Sequence, residues 1–202
     1  MLFRQIKYRG DNFSYVIADE MTKEAVVVDP SYNEDALALF IKDQKLKLNY
    51  IIDTHCHGDH TAGNNDLKRA FGAKIVAHNF SEIKKDMSVV DGDVLKVGKI
   101  MIKVLHTPGH TEDSICLLVD GKILTGDTLF IGECGRTDLL GGSPEDMYRS
   151  LGKLKELDDG IEVYPGHDYG PKPYSTIGEE KRTNYTLEDR TLEEFTEFMS
   201  KP

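Results

Sequence analysis

Cysteine is scarce in this chain. Cys56, Cys116 and Cys134 are the three among 202 residues, and no two of them form a C-x-x-C pair. They are too few and too scattered for a disulfide framework, which points to a reducing, cytoplasmic setting. Long hydrophobic runs are missing too. The opening stretch, MLFRQIKYRGDNFSYVIADE, lacks the apolar centre of a signal peptide, and no later segment is long enough to span a membrane. The N-x-S/T triplets at Asn12, Asn79 and Asn184 then read as chance matches, because glycosylation requires secretion.

Positive charge is in deficit. Lysine and arginine number 25 against 35 acidic residues, a net charge of −10. That balance disfavours nucleic acid and anionic membrane as partners, although Lys172, Lys181 and Arg182 gather cations late in the chain. There is no G-x-S-x-G, so a serine hydrolase has no support. The stretch GDVLKVGKI only superficially suggests a phosphate loop. It has five residues between its glycines and Ile100 where Ser or Thr would stand. It reads instead as a turn between two strands.

What is present suits one globular domain over residues 1–202: 39% hydrophobic and 30% charged residues, with no repeat and no linker. Short apolar, β-branched runs recur as SYVIAD, EAVVVDP, LNYIIDT, AKIVAH, IMIKVLH, SICLLVD and KILTGDT. Each is four to eight residues long and closed by Gly, Asp, Asn or Pro, the pattern of strands. Helical spacing appears in NEDALALFIKDQ, with Asn33 as cap, and in SPEDMYRSLGKLKEL, where Ser143 caps and Pro144 takes the first position. LEEFTEFM reads as a short packed helix. The order suits a layered α/β protein. Whether its strands form one sheet or two stays open.

The histidines are unevenly spent. Of seven in the chain, three fall within THCHGDH, at His55, His57 and His60, beside Asp59. YIIDT before them reads as a buried strand, and DHTAGNNDLKRAF after them as a helix. The motif therefore sits at the carboxyl end of a strand, where α/β folds place chemistry. His55 and His57, two apart, point the same way in an extended segment. Other strand-like runs end similarly, each on a His or Asp next to glycine: His110 in HTPGHT, Asp127 in TGDT and His167 in YPGHDY. Imidazoles and carboxylates together suit zinc, iron or manganese. His106 reads as a residue that holds its loop, and His78 as a strand-end residue.

These motifs together resemble the five-motif pattern of the metallo-β-lactamase superfamily, from NFSYVIAD to the last helix. The resemblance implies an αββα four-layer sandwich with metals at one edge. It implies that His55, His57 and His110 bind one metal, that Asp59, His60 and His167 bind a second, and that Asp127 bridges them. Asp59 and Asp127 are thereby the carboxylates closest to the chemistry. Within the superfamily, GDTLFIGECGRTDLLGGSPEDMYRSL is similar to the glyoxalase II branch, the hydroxyacylglutathione hydrolases.

The resemblance implies hydrolysis of a thioester of a small thiol through a hydroxide bridging two divalent metals, zinc first, with iron or manganese as substitutes. Arg136 in CGRTD, together with Tyr169 and Lys172, are the candidate substrate contacts. Arg136 has an alternative structural role, pairing with Asp138 or Asp113. Full-length glyoxalase II enzymes carry a C-terminal helical domain that helps hold glutathione, and the expectation here is a single metallo-β-lactamase-like domain over residues 1–202 without it. CGRTD and the tail from HDYGPKPYSTIGEEKRTNYTLEDRTLEEFTEFM also resemble the persulfide dioxygenases. Those use one Fe(II), on residues matching His55, His110 and Asp127, to oxidise glutathione persulfide or a related low-molecular-weight persulfide. The expected partner is a small-molecule thiol conjugate and, as a protein partner, a second copy of the chain in a homodimer. A nuclease lacks a basic groove, a secreted β-lactamase lacks its export signal, and a scaffold protein would not need all seven ligands.

Overall fold

The computed structural model describes residues 1–7 and 10–200. The first half runs β1 (Leu2–Lys7), β2 (Phe13–Ala18), β3 (Glu24–Val28), α1 (Glu34–Asp43), β4 (Lys47–Ile52), α2 (Gly58–Thr61), α3 (Asn64–Phe71), β5 (Lys74–His78) and β6 (Met87–Val89). The second half runs β7 (Val94–Val97), β8 (Ile100–His106), β9 (Ile115–Val119), β10 (Lys122–Gly126), α4 (Pro144–Lys155), β11 (Glu162–Pro165), β12 (Ser175–Thr176), α5 (Ile177–Thr183) and α6 (Leu192–Met199).

The question of one sheet or two resolves to two, each of six strands. Their orders are β1-β2-β3-β4-β5-β6 and β12-β11-β10-β9-β8-β7. In the first sheet β3 to β6 are parallel, and in the second β10 and β11 are parallel. Alternation along the strands explains the layers. In β2, Tyr15 and Ile17 face the other sheet while Val16 and Ala18 face outward; in β3, Val26 and Val28 do the former and Val27 the latter. With both faces buried, these strands read as continuous apolar runs. The inner faces meet around Ile52, Val76, Ile102, Val104, Leu117 and Leu124. Outside the first sheet lie α1 and α3 through Leu37, Ile41 and Leu67. Outside the second lie α4, α5 and α6 through Met147, Leu151, Leu154, Ile177 and Phe195. The result is the αββα sandwich.

Two local expectations are revised. The segment after His57 is not one helix but two, α2 and α3, broken at Gly63. There the backbone is crowded by the loop after β3: a Cβ on Gly63 would lie 2.9 Å from the Ser31 carbonyl oxygen. Asn33 precedes α1, but its side chain makes no cap; it donates instead to Ser14 Oγ at 2.9 Å, across to β2. Ser143 does cap α4, accepting from the Asp146 N–H, with Pro144 following it. GDVLKVGKI is the β7–β8 turn.

Candidate metal centre

The site forms where strand ends of the two sheets meet. His55, His57, Asp59 and His60 follow β4, His110 lies in the β8–β9 loop, Asp127 follows β10, and His167 follows β11. The Ile115 N–H donates to the Thr54 carbonyl at 2.8 Å, tying one sheet edge to the other beside the cluster. Close approach here needs glycine. Gly126 has φ +48°, and a Cβ on it would lie 2.5 Å from Thr54 Oγ1.

All seven residues converge. His57 Nδ1 lies 3.0 Å from Nε2 of His55 and 3.0 Å from Nε2 of His110. On the other side, His60 Nε2 lies 3.1 Å from His167 Nε2, and Asp59 Oδ2 is 3.5 Å from each. Asp127 stands between the groups. Its Oδ2 is 3.9 Å from His55, 3.5 Å from His110 and 3.3 Å from His167, and its Oδ1 is 3.5 Å from His60. Donor atoms around a tetrahedral zinc, with bonds near 2.0–2.1 Å, are roughly 3.3 Å apart. Asp127 Oδ1 is buried with no hydrogen-bond partner, an arrangement that costs free energy unless a cation meets it. Both groups of donors therefore fit a metal.

The outward ring nitrogens are held by the protein. His110 Nδ1 pairs with the Arg136 carbonyl at 2.9 Å, His55 Nδ1 with Thr54 Oγ1 at 3.1 Å, and His60 Nδ1 with Asp29 Oδ2 at 3.1 Å. Such partners fix the tautomer that leaves the inward nitrogen free. Burial lowers His55, and neighbouring His60 lowers it further. For His60, burial opposes charge, but Asp127 and Asp29 outweigh it and raise the ring well above its ordinary value. Asp127 is likewise opposed by burial, yet His60 and His167 hold it well below the usual carboxylate range.

A cleft of about 810 Å³ opens beside the cluster, lined by His110, Asp127, Phe130, Arg136, Tyr169 and Tyr185 among others. The Tyr169 ring stacks on His167, centroids 4.8 Å apart at 5°, with Phe130 set edge-on to both. Burial, and then nearby carboxylates, push the Tyr169 hydroxyl up to about 12, so it stays a donor. Arg136 sits at the cleft with its guanidinium paired to Asp138 at 2.6 Å through two nitrogens, so the pairing with Asp138 holds and that with Asp113 does not form. Lys172 is elsewhere engaged, ion-paired with Glu179 of α5, and is not among the residues lining this cleft.

Cys56 lies beside Asp113, where burial and that carboxylate raise the thiol to about 11. Cys134 lines the cleft with its Sγ 3.9 Å from Met199 Sδ, and burial pushes it up to about 12. Neither is a thiolate near neutral pH. His106 Nε2 bonds the Glu112 carbonyl at 2.8 Å and its ring stacks on His78, so both stand outside the centre. Sequence reasoning passed over Asp29, Asn12 and Asp11, which touch the ligands from behind. Asp29 carried a usable signal, since it ends the apolar run EAVVVDP as His55 follows the neighbouring run.

Two packed sheets, helices outside and a metal-ligating His/Asp cluster at one edge define a metal-dependent enzyme of the sandwich type. The chain belongs to the metallo-β-lactamase superfamily, whose sequence profile matches residues 8–167. It is 35% identical over 169 residues to a hydroxyacylglutathione hydrolase of Pelagibacter ubique, covering 81% of this chain and 70% of that protein. It is 33% identical over 192 residues to the mitochondrial persulfide dioxygenase ETHE1 of Homo sapiens, covering 93% and 75%. The crystal structure of ETHE1 from Myxococcus xanthus superposes with a TM-score of 0.94 at 36% identity, covering 100% of this chain and 92% of that one. No helix among the described residues is long and apolar enough to cross a membrane.

Proposed function

We propose that this chain is a thioester hydrolase acting on conjugates of a small thiol of the glutathione kind, with two divalent metals, zinc in the first place. The observation that carries the reading is the position of Asp127, whose carboxylate reaches both donor groups at once. His55, His57 and His110 would hold one metal, Asp59, His60 and His167 the other, with Asp127 common to both. When bound, such a pair supplies a hydroxide nucleophile near neutral pH and polarises the carbonyl it attacks.

The chain's own residues prepare the rest. Arg136 offers a guanidinium to a carboxylate of the thiol carrier, and its exchange from Asp138 to the substrate keeps that charge paired. Tyr169, half-exposed over His167, offers its hydroxyl to the carrier's amide groups. Phe130 and Tyr185 give the cleft apolar walls against which the acyl group and thiol stem pack. Three free thiols suit a reducing compartment such as the cytoplasm.

A second reading, a persulfide dioxygenase with one Fe(II) on His55, His110 and Asp127, is favoured by the nearly end-to-end match to the Myxococcus xanthus structure. Two histidines and a carboxylate suit iron that must keep positions open. Oxygen uptake separates the two. The Fe(II)-loaded protein is given glutathione persulfide in an oxygen electrode, and the zinc-loaded protein a hydroxyacyl thioester of glutathione in a thiol-release assay. The hydrolase reading expects thiol release and no enzyme-dependent oxygen uptake; rapid uptake without thioester cleavage replaces it with the second reading.

A further inference from the structure

The segment just before β2, Asp11 and Asn12, lies against the second of the two donor groups. Its backbone is fastened to the loop carrying His167: Asn12 and His167 form an isolated antiparallel bridge. The Phe13 N–H donates to the Gly166 carbonyl at 2.8 Å, and the Asp168 N–H to the Asp11 carbonyl at 2.7 Å. From this frame two side chains point at ligands. Asn12 Nδ2 donates to Asp59 Oδ2 at 3.0 Å. The Asp11 carboxylate stands 3.5 Å from Nδ1 of His167, a buried ring nitrogen with no hydrogen-bond partner.

The need for both follows from the ligands. Asp59 is 40% exposed on its side chain, so water competes for its oxygens unless a donor fixes one of them. His167 turns Nε2 toward His60 and Asp127, which leaves Nδ1 to carry the proton and requires an acceptor for it. Asp11 is the acceptor within reach, and it adds negative charge close to a cation. The third donor of the group, His60, is already held by Asp29. The first group draws its support from other places, the Arg136 carbonyl and Thr54 Oγ1.

We propose that Asp11 and Asn12 are positioning residues for the second metal: they set how tightly Asp59, His60 and His167 hold it, and so whether the centre works with two metals or one. The inference rests on the two-metal reading of the site. Because the bridge to His167 is made by backbone, side-chain substitution at either position leaves residues 11–13 anchored.

The test is equilibrium dialysis of the metal-free 202-residue chain against buffered Zn(II), read by elemental analysis, with Co(II) absorption as a second readout. Wild type is expected to take two equivalents. Asn12→Ala and Asp11→Asn are each expected to weaken the second equivalent 10- to 100-fold, the range for outer partners of ligands, with the first unchanged. Asn12→Asp, which sets a like charge against Asp59, is expected to lose more than the alanine variant. Asp11→Glu, which keeps the acceptor, is expected to recover part of the loss.

A purely structural role would weaken both equivalents together and lower the melting point of the metal-free chain; that result overturns the proposal. So does retention of both equivalents at wild-type affinity, which leaves the two-metal reading standing. A wild type that saturates at one equivalent removes the two-metal reading itself, and the inference with it, before any variant is compared.

Discussion

Asp29 Oδ2 lies 3.1 Å from Nδ1 of His60 and accepts a hydrogen bond from Thr54 Oγ1 at 2.7 Å. The other oxygen accepts the Thr54 N–H at 2.7 Å. One buried carboxylate at the end of β3 thus orients a ligand ring and shapes the loop that presents it. Asp29→Ala leaves the buried Thr54 N–H without an acceptor, at a cost of about 1–3 kcal/mol. It also frees the His60 ring. Chemical denaturation should record that loss, and metal titration a 10- to 100-fold weaker site.

Gly166 tests the packing behind Asp127. A Cβ there would lie 2.3 Å from Asp127 Oδ1 and 2.9 Å from His60 Cε1. Both neighbours are buried ligands with nowhere to retreat. Gly166→Ala should therefore displace the shared carboxylate and abolish metal retention on a desalting column. Gly152→Ala, a helical position where an added Cβ meets nothing within 4 Å, should be neutral or slightly stabilising.

Arg136 separates binding from chemistry. Its pair with Asp138 is largely exposed and contributes little to stability. Arg136→Ala should leave the melting point unchanged while raising KM roughly 10- to 100-fold for carriers with a carboxylate, the worth of about 1.5–3 kcal/mol for a charged hydrogen bond. With a carrier lacking that carboxylate, the variant and wild type should have similar KM values.

A pH effect arises away from the metals. His78, at the end of β5, stacks on His106 with centroids 4.0 Å apart, and burial followed by that neighbour lowers its pKa to about 4. The unfolded chain then binds a proton that the folded chain refuses between pH 6.5 and 4. Stability from this group is complete above pH 6.5 and declines as pH falls toward 4, by no more than about 1.4 kcal/mol per pH unit. Denaturation midpoints of His78→Phe should fall less steeply than wild type across that window.

The ligands were legible because they gather in short polar stretches that follow apolar runs and contain a glycine, a local pattern that survives without coordinates. The same holds for the α4 cap at Ser143, made within one turn. What escaped notice depends on neighbours distant in sequence. Asn33 gave its amide to Ser14 on another strand rather than to its own helix. The helix after His57 broke at Gly63 because the loop after β3 crosses it. Lys172 found Glu179 once α5 folded back. Asp11 and Asn12 acquired their contacts because the chain entering β2 pairs with the loop after β11.

The most direct test of the two-metal hydrolase is the rate of thioester cleavage measured against Zn(II) equivalents added to the metal-free chain. Rates should stay low through the first equivalent, rise through the second and then level off. Cleavage that is complete at one equivalent, or absent at two while one Fe(II) supports oxygen uptake with glutathione persulfide, would contradict it.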